Sequence, residues 1–196
     1  MNSAFYQLMF TPSVLAAQEK YNGHSAALAD ETLKPNPLGP EESAFIAERD
    51  SFYLATTGET GWPYIQHRGG PRGFLRVLDE HTLGFADFGG NRQLITVGNL
   101  ATNNRVALFF MDYNRRERMK LLGHARVLDA AEDLALATRL TVPGYRARIE
   151  RLFVIDVVAF DWNCPQHITP RYTAEEIEEA NALCAEHERS ASQAIE

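Results

Sequence analysis

Arg118-Met119-Lys120-Leu121-Leu122-Gly123-His124-Ala125-Arg126-Val127-Leu128 reads as a strand, because its side chains sort onto two faces by parity. Met119, Leu121, Gly123, Ala125 and Val127 share one face and are expected to pack inward. Arg118, Lys120, His124 and Arg126 share the other, interrupted by Leu122. That second face is either the solvated side of an antiparallel sheet or a basic wall turned toward a bound anion, and parity alone leaves both open.

The same texture extends in both directions. Phe52–Thr56, Trp62–Arg68, Phe74–Leu78, Leu83–Asp87, Val106–Tyr113 and Leu152–Phe160 read as further strands, with Gly58-Glu59-Thr60-Gly61 as a hairpin turn. Six or seven strands with few helices suggest a closed or partly closed antiparallel barrel.

Helices flank this block. Thr11-Pro12 begins a short one, with proline at the first helical position. Pro35, Pro37 and Pro40 mark an extended arm, after which Pro40-Glu41-Glu42 starts a helix buried through Phe45 and Ile46. Ala131–Leu140 fits an amphipathic helix. Arg92–Leu100 is ambiguous: Ile95, Thr96 and Val97 are β-branched, yet the glycine-rich lead-in favours a helix start. Thr173-Ala174-Glu175-Glu176 fits a capping box, and Ile177, Ala180, Leu183 and Cys184 form one apolar stripe behind it. The tail after His187 is polar and expected to fray. One domain over 1–196 is expected: N-terminal helix and arm over 1–40, barrel core over 43–162, C-terminal helix over 173–190.

Composition narrows the partners. A net charge of −7 disfavours nucleic acid and anionic membranes, though not a small anion in a local basic pocket. No stretch approaches the roughly 20 apolar residues of a membrane span. Met1–Phe10 lacks the basic start and apolar run of a signal peptide, so a cytoplasmic location is expected, with Cys164 and Cys184 as reduced thiols.

Two stretches carry candidate chemistry. In Asp87-Phe88-Gly89-Gly90-Asn91-Arg92-Gln93, two glycines permit a tight turn and close approach of backbone to a ligand. A helix beginning at Asn91 would direct its free N–H groups there, and Arg92 would add a forked cation for phosphate oxygens. The plainer alternative is an ordinary strand-to-helix connection with Arg92 in water. In Tyr64-Ile65-Gln66-His67-Arg68-Gly69-Gly70-Pro71-Arg72-Gly73, the residues Trp62, Tyr64, Gln66 and Arg68 share a face. Gly69, Gly70 and Gly73 suggest a bulge, a backbone pressed against a ligand, or a hairpin tip.

Other chemistries lack their motifs: there is no HExxH, no paired-cysteine metal spacing, no Walker loop and no GxSxG elbow. The histidines are scattered, His67 and His124 being those placed to face a pocket. The carboxylates suggest no acid–base pair.

Taken together, Gln66–Arg76, Gly90–Gln93 and Arg118–Gly123 resemble, in order and spacing, the pyridoxamine 5'-phosphate oxidase-like flavoproteins, over about residues 50–130. Gly61-Trp62-Pro63-Tyr64 resembles the family's turn into its first cofactor strand, and Phe74-Leu75-Arg76 its basic strand segment. Phe85–Gln93 resembles a stretch ending Gly-Ser-Arg-Lys, and Asn103–Leu108 loosely matches the following strand entry. Arg118 falls where the family places a glutamine near the flavin.

The resemblance implies a mainly β (α+β) fold, a Greek-key split β-barrel with peripheral helices. It also implies a homodimer binding FMN at sites built from both subunits, and oxidoreductase activity on a small-molecule substrate. Arg92, Gln93, Asn91 and nearby backbone would hold the phosphate. Gln66, His67, Arg68, Gly69, Arg76, Ala86 and Asp87 would line the ribityl chain and ring edge. Arg118 would reach the cofactor from its strand, and Trp162 and Gln166 would close the site from the partner chain. Gln93 stands where the family has a phosphate-binding lysine, Gly69–Gly73 is an insertion, and the oxidase's C-terminal Arg-Leu-x-Pro is absent. These departures suit the general FMN-binding branch better than the oxidase proper. A non-catalytic protein storing or sensing flavin, deazaflavin or haem is the alternative, haem calling for His67 or His124 as axial ligand.

Overall fold

The computed structural model describes residues 4–28 and 32–193. Residues 1–3, 29–31 and 194–196, which carry parts of the expected N-terminal arm and C-terminal tail, lie outside the described residues.

Every expected strand forms, each within a few residues of its expected ends. They are β1 (Ser51–Thr57), β2 (Pro63–Gly69), β3 (Leu75–Asp79), β4 (Thr82–Phe88), β5 (Arg105–Asp112), β6 (Glu117–Asp129) and β7 (Ile149–Trp162). All pairings are antiparallel, in the order β2-β1-β5-β6-β7-β4-β3. The sheet curls so that β2, at one edge, approaches β4 near the other, giving a split barrel.

Alternation sets what lies inside. On β6, Met119, Leu121, Gly123 and Ala125 are buried as parity requires, and Val127 packs against the same core. Phe52, Phe85 and Phe153 form its aromatic centre, with Phe85 stacked on Phe153 at 4.7 Å between centroids. Gly123 is needed for close approach: a Cβ there would lie 2.7 Å from the Asp156 carbonyl oxygen. It sits where the β6–β7 register shifts.

The helices are α1 (Ala4–Met9), α2 (Pro12–Asn22), α3 (Pro40–Ala47), α4 (Ile95–Thr102), α5 (Leu134–Leu140) and α6 (Ala174–Gln193). None among the described residues is long and apolar enough to cross a membrane. Helix α3 buries Phe45 and Ile46 as expected. The capping box of α6 forms, with Thr173 N–H donating to Glu176 Oε2 at 2.8 Å and Glu176 N–H to Thr173 Oγ1 at 3.2 Å.

Four expectations need correction. Helix α1 was not anticipated; it buries Ala4 and Phe5 against Ala159 on the outer side of the sheet. The stripe on α6 is not covered by its own chain, since Ile177 and Leu183 are exposed, and the helix runs on to Gln193 past the expected fraying. Helix α4 starts at Ile95 rather than Asn91, because Arg92 and Leu94 both adopt left-handed backbone (φ 57° each). The glycines after β2 serve a turn: Gly73 has φ +76°, and a Cβ on Gly70 would meet the Phe74 ring at 2.8 Å.

Candidate functional site: a guanidinium cleft at the barrel opening

On β2, the side chains of Tyr64, Gln66 and Arg68 point to the core side, opposite Thr56, Leu54 and Phe52 of β1. At the barrel rim that direction opens into a cleft of about 150 Å³. Its lining includes Gln66, Arg68, Asp87, Arg92, Arg151 and Thr96. Asn91 and Gln93 contribute from the loop before α4.

Helix α4 is fixed over the cleft by two hydrogen bonds. Thr96 Oγ1 donates to Gln66 Oε1 at 2.7 Å, and Asn99 Nδ2 donates to Thr56 Oγ1 at 2.9 Å. No side chain caps its first turn, so Ile95, Thr96 and Val97 bring the positive end of the helix to the cleft wall. Left-handed Arg92 and Leu94 in the approach carry backbone strain of about 1 kcal/mol or more each, of the kind concentrated at binding sites.

The floor is an ion-pair ladder. Asp87, buried on β4, accepts from Arg68 Nη1 at 2.6 Å and from Arg151 Nε at 2.8 Å. Arg151 continues to Glu150 Oε2 at 2.9 Å, and Glu150 Oε1 faces Arg92 Nη2 at 3.4 Å. The Arg68 guanidinium lies 5.0 Å from the Phe153 ring centroid. Its Nε is buried with no hydrogen-bond partner among the described residues. Burial pulls the Arg68 guanidinium below its ordinary arginine value despite Asp87 beside it. For Arg151, burial also pulls down, but the hydrogen bonds and charges of Asp87 and Glu150 outweigh it and raise the group. Three guanidiniums against Asp87 and, at the end of the ladder, Glu150 leave one positive charge over. Such a cleft attracts a compact anion.

The expected site residues divide into three groups. Gln66, Arg68, Asp87, Asn91, Arg92 and Gln93 share the cleft. His67, Gly69 and Ala86 line an adjoining recess of about 140 Å³ that shares Arg68 and Asp87 with it. Arg76, Arg118, Trp162 and Gln166 lie elsewhere. Arg76 lines a separate groove with Arg139 and donates to the Thr141 carbonyl at 3.1 Å, because the turn over Gly70–Phe74 carries it onto edge strand β3. Trp162 packs on its own α3, its indole N–H donating to Glu42 Oε1 at 2.9 Å and its ring edge-on to Phe45. Gln166 is exposed.

Arg118 is on the outer face of β6, and the two readings of that face now separate. Lys120 pairs with Asp161 at 3.3 Å beneath Phe5, Arg126 with Asp156 at 3.0 Å, and His124 bonds to Asn104. Their partners lie within the chain. Arg118 differs, its Nε buried without a hydrogen-bond partner among the described residues.

Sequence reading missed Arg151, Glu150 and Thr96. Arg151 is a cleft residue only because it stands directly opposite Asp87 in the β4–β7 ladder.

The sequence matches the family model described as pyridoxamine 5'-phosphate oxidase over residues 38–162. The chain belongs to that family. A candidate pyridoxamine 5'-phosphate oxidase from Lactobacillus delbrueckii is 20% identical, with 66% of this chain and 97% of that one covered, at a TM-score of 0.50. HupZ of Group A Streptococcus is 18% identical over 68% of this chain and 98% of that one, at 0.47. An FMN-binding protein from Syntrophomonas wolfei is 14% identical over 62% and 83%, also at 0.47. No curated protein matches. The Lactobacillus structure bears on the fold, which is the split barrel implied by the resemblance.

Proposed function

We propose that this member of the pyridoxamine 5'-phosphate oxidase family is an FMN-dependent oxidoreductase acting as a homodimer, with the guanidinium cleft holding the cofactor's phosphate. The observation that carries this reading is the convergence of Arg68, Arg92 and Arg151 on one cleft at the uncapped start of α4.

Arg92 and the backbone of Ile95–Val97 take the phosphate oxygens, while Asp87 keeps Arg68 and Arg151 turned toward them. Gln66, already an acceptor from Thr96, orients its amide N–H toward ribityl hydroxyls. His67, Gly69 and Ala86 continue the wall toward the ring edge. Bound FMN supplies hydride or electron transfer to or from a small-molecule substrate; the protein's part is to bind, orient and shield it.

The cleft of about 150 Å³ is smaller than the roughly 300–1,000 Å³ usual for small-molecule sites, so the ring must be covered by a second surface. The outer sheet face supplies one. Tyr53 and Ala55 of β1 lie beside Phe109 and Ala107 of β5, and Met111 is opposite Arg118. A second copy seated there brings Arg118, with its unpartnered Nε, to the site from the other subunit.

The absorbance spectrum of the purified chain tests the cofactor, and bleaching of bound flavin by candidate donors tests catalysis. A flavin band that bleaches supports the reading. A Soret band, a deazaflavin spectrum, or a colourless protein that FMN does not stabilise against heat would reject it.

A further inference from the structure

Two carboxylates border the guanidinium cluster, and their surroundings differ. Asp87 is held within the β4–β7 ladder, its side chain 7% exposed and both oxygens engaged at 2.6 and 2.8 Å. Glu150 is also largely covered, its side chain 13% exposed, but only its Oε2 is held closely, by Arg151 at 2.9 Å. Its Oε1 reaches Arg92 only at 3.4 Å, and the Arg92 side chain is 72% exposed. Behind that contact is an open groove of about 550 Å³ lined by Arg92, Glu150, Arg148 and Arg151. A Glu150 carboxylate leaving Arg92 has room there, in a wall that also holds Arg148 and Asp129. Asp87 has no such exit.

We infer that an oxyanion entering the cleft displaces Glu150 from Arg92, whereas Asp87 is a positioning residue on which the site depends. The inference rests on the reading of the cleft as a phosphate site, and adds a distinction that charge alone does not make. Both residues carry a negative charge beside an anion site. Simple electrostatics therefore has removal of either charge tighten anion binding. Displacement and positioning give opposite signs. Without Glu150, the ligand no longer competes with a resident carboxylate. Without Asp87, Arg68 and Arg151 repel one another and lose their shared acceptor, so their N–H groups no longer converge.

The test is titration of FMN, and separately of inorganic phosphate, into the full-length chain and its variants. Glu150→Gln is expected to tighten both ligands about 2- to 5-fold, the size of a long ion pair to an exposed arginine. Asp87→Asn is expected to weaken both about 10-fold or more although the lining gains positive charge, and Asp87→Glu to recover part of the loss. Unchanged or weaker binding in Glu150→Gln, or tighter binding in Asp87→Asn, overturns the inference while leaving the phosphate site standing. Should Asp87→Asn fail to fold, the Glu150→Gln titration decides alone. If the unmodified chain binds neither ligand, the phosphate reading itself fails, and this inference with it.

Discussion

Asp87 stands directly across the β4–β7 ladder from Arg151, and its carboxylate grips that guanidinium with one oxygen and Arg68 with the other. One buried carboxylate on β4 thus ties edge strand β2, across the split, to the start of β7. Closing the barrel and aiming the cations are the work of the same group. Changes here are expected to move stability and ligand affinity together.

Arg92 offers a cleaner separation, since it is exposed and its partner among the described residues is the distant Glu150 oxygen. Arg92→Ala is expected to weaken FMN binding about 10- to 100-fold, the equivalent of one charge-assisted hydrogen bond of roughly 1.5–3 kcal/mol. Its unfolding midpoint in urea should match that of the unmodified chain. Unchanged FMN affinity would remove Arg92 from the phosphate role.

The outer sheet face can be tested at its centre. Phe109 is half-buried between Tyr53 and Lys120 in the ladder. A charge at a buried dimer seam costs several kcal/mol, so Phe109→Asp is expected to give a monomer by light scattering and to lose bound flavin. A monomer that retains full FMN affinity would show that the second subunit contributes nothing to the site.

A pH effect follows from Arg49 and Asp112, which pair at 2.7 Å with side chains only 10% and 9% exposed. Burial pushes the Asp112 carboxyl up, but the Arg115 backbone N–H and the Arg49 charge outweigh it and hold the group below its ordinary value. The unfolded chain therefore takes up the proton first as pH falls. The stabilisation is fully present above an unfolded carboxyl value of about 4 and is lost as pH drops below it. Asp112→Asn should flatten that acid limb in urea unfolding at a series of pH values. It should also destabilise the neutral-pH protein by about 1–3 kcal/mol, because Arg49 loses its nearest carboxylate while keeping Glu48 at 3.2 Å and the Phe45 and Met111 carbonyls.

Much of the architecture was legible because β-strands declare themselves by period. All seven runs lie where the alternation of Phe52–Thr56, Arg118–Leu128 and their neighbours puts them. What lay beyond reach was register. Nothing local to Arg151 says that it faces Asp87, since that pairing spans the whole β5–β6 hairpin and α5. Backbone specials were equally hidden: the left-handed turns at Arg92 and Leu94 delay α4 by a turn, and neither residue type advertises them. Arg76 was placed at the cofactor by the resemblance of Phe74-Leu75-Arg76 to a basic strand segment, and it follows Arg68 by eight positions. The glycine turn between them rotates the chain onto a different strand, and its guanidinium lies in another groove. Helix α1 escaped notice because six residues are too few to show a helical period.

Gly123 tests the packing that positions β6 on β7. A methyl group there would press on the Asp156 carbonyl oxygen at 2.7 Å and on Ile155 Cγ2 at 2.8 Å, both on the neighbouring strand. Gly123→Ala is expected to cost about 1–3 kcal/mol in urea unfolding. A neutral result would mean that the bulge relaxes freely.

The phosphate role of the guanidinium cleft is tested most directly by comparing FMN with riboflavin, which has the same ring and ribityl chain but no phosphate. Isothermal titration of each into the cofactor-free chain should show FMN binding about 100-fold tighter or more, as two charge-assisted hydrogen bonds require. Equal affinities for the two flavins, or no binding of either, would contradict it.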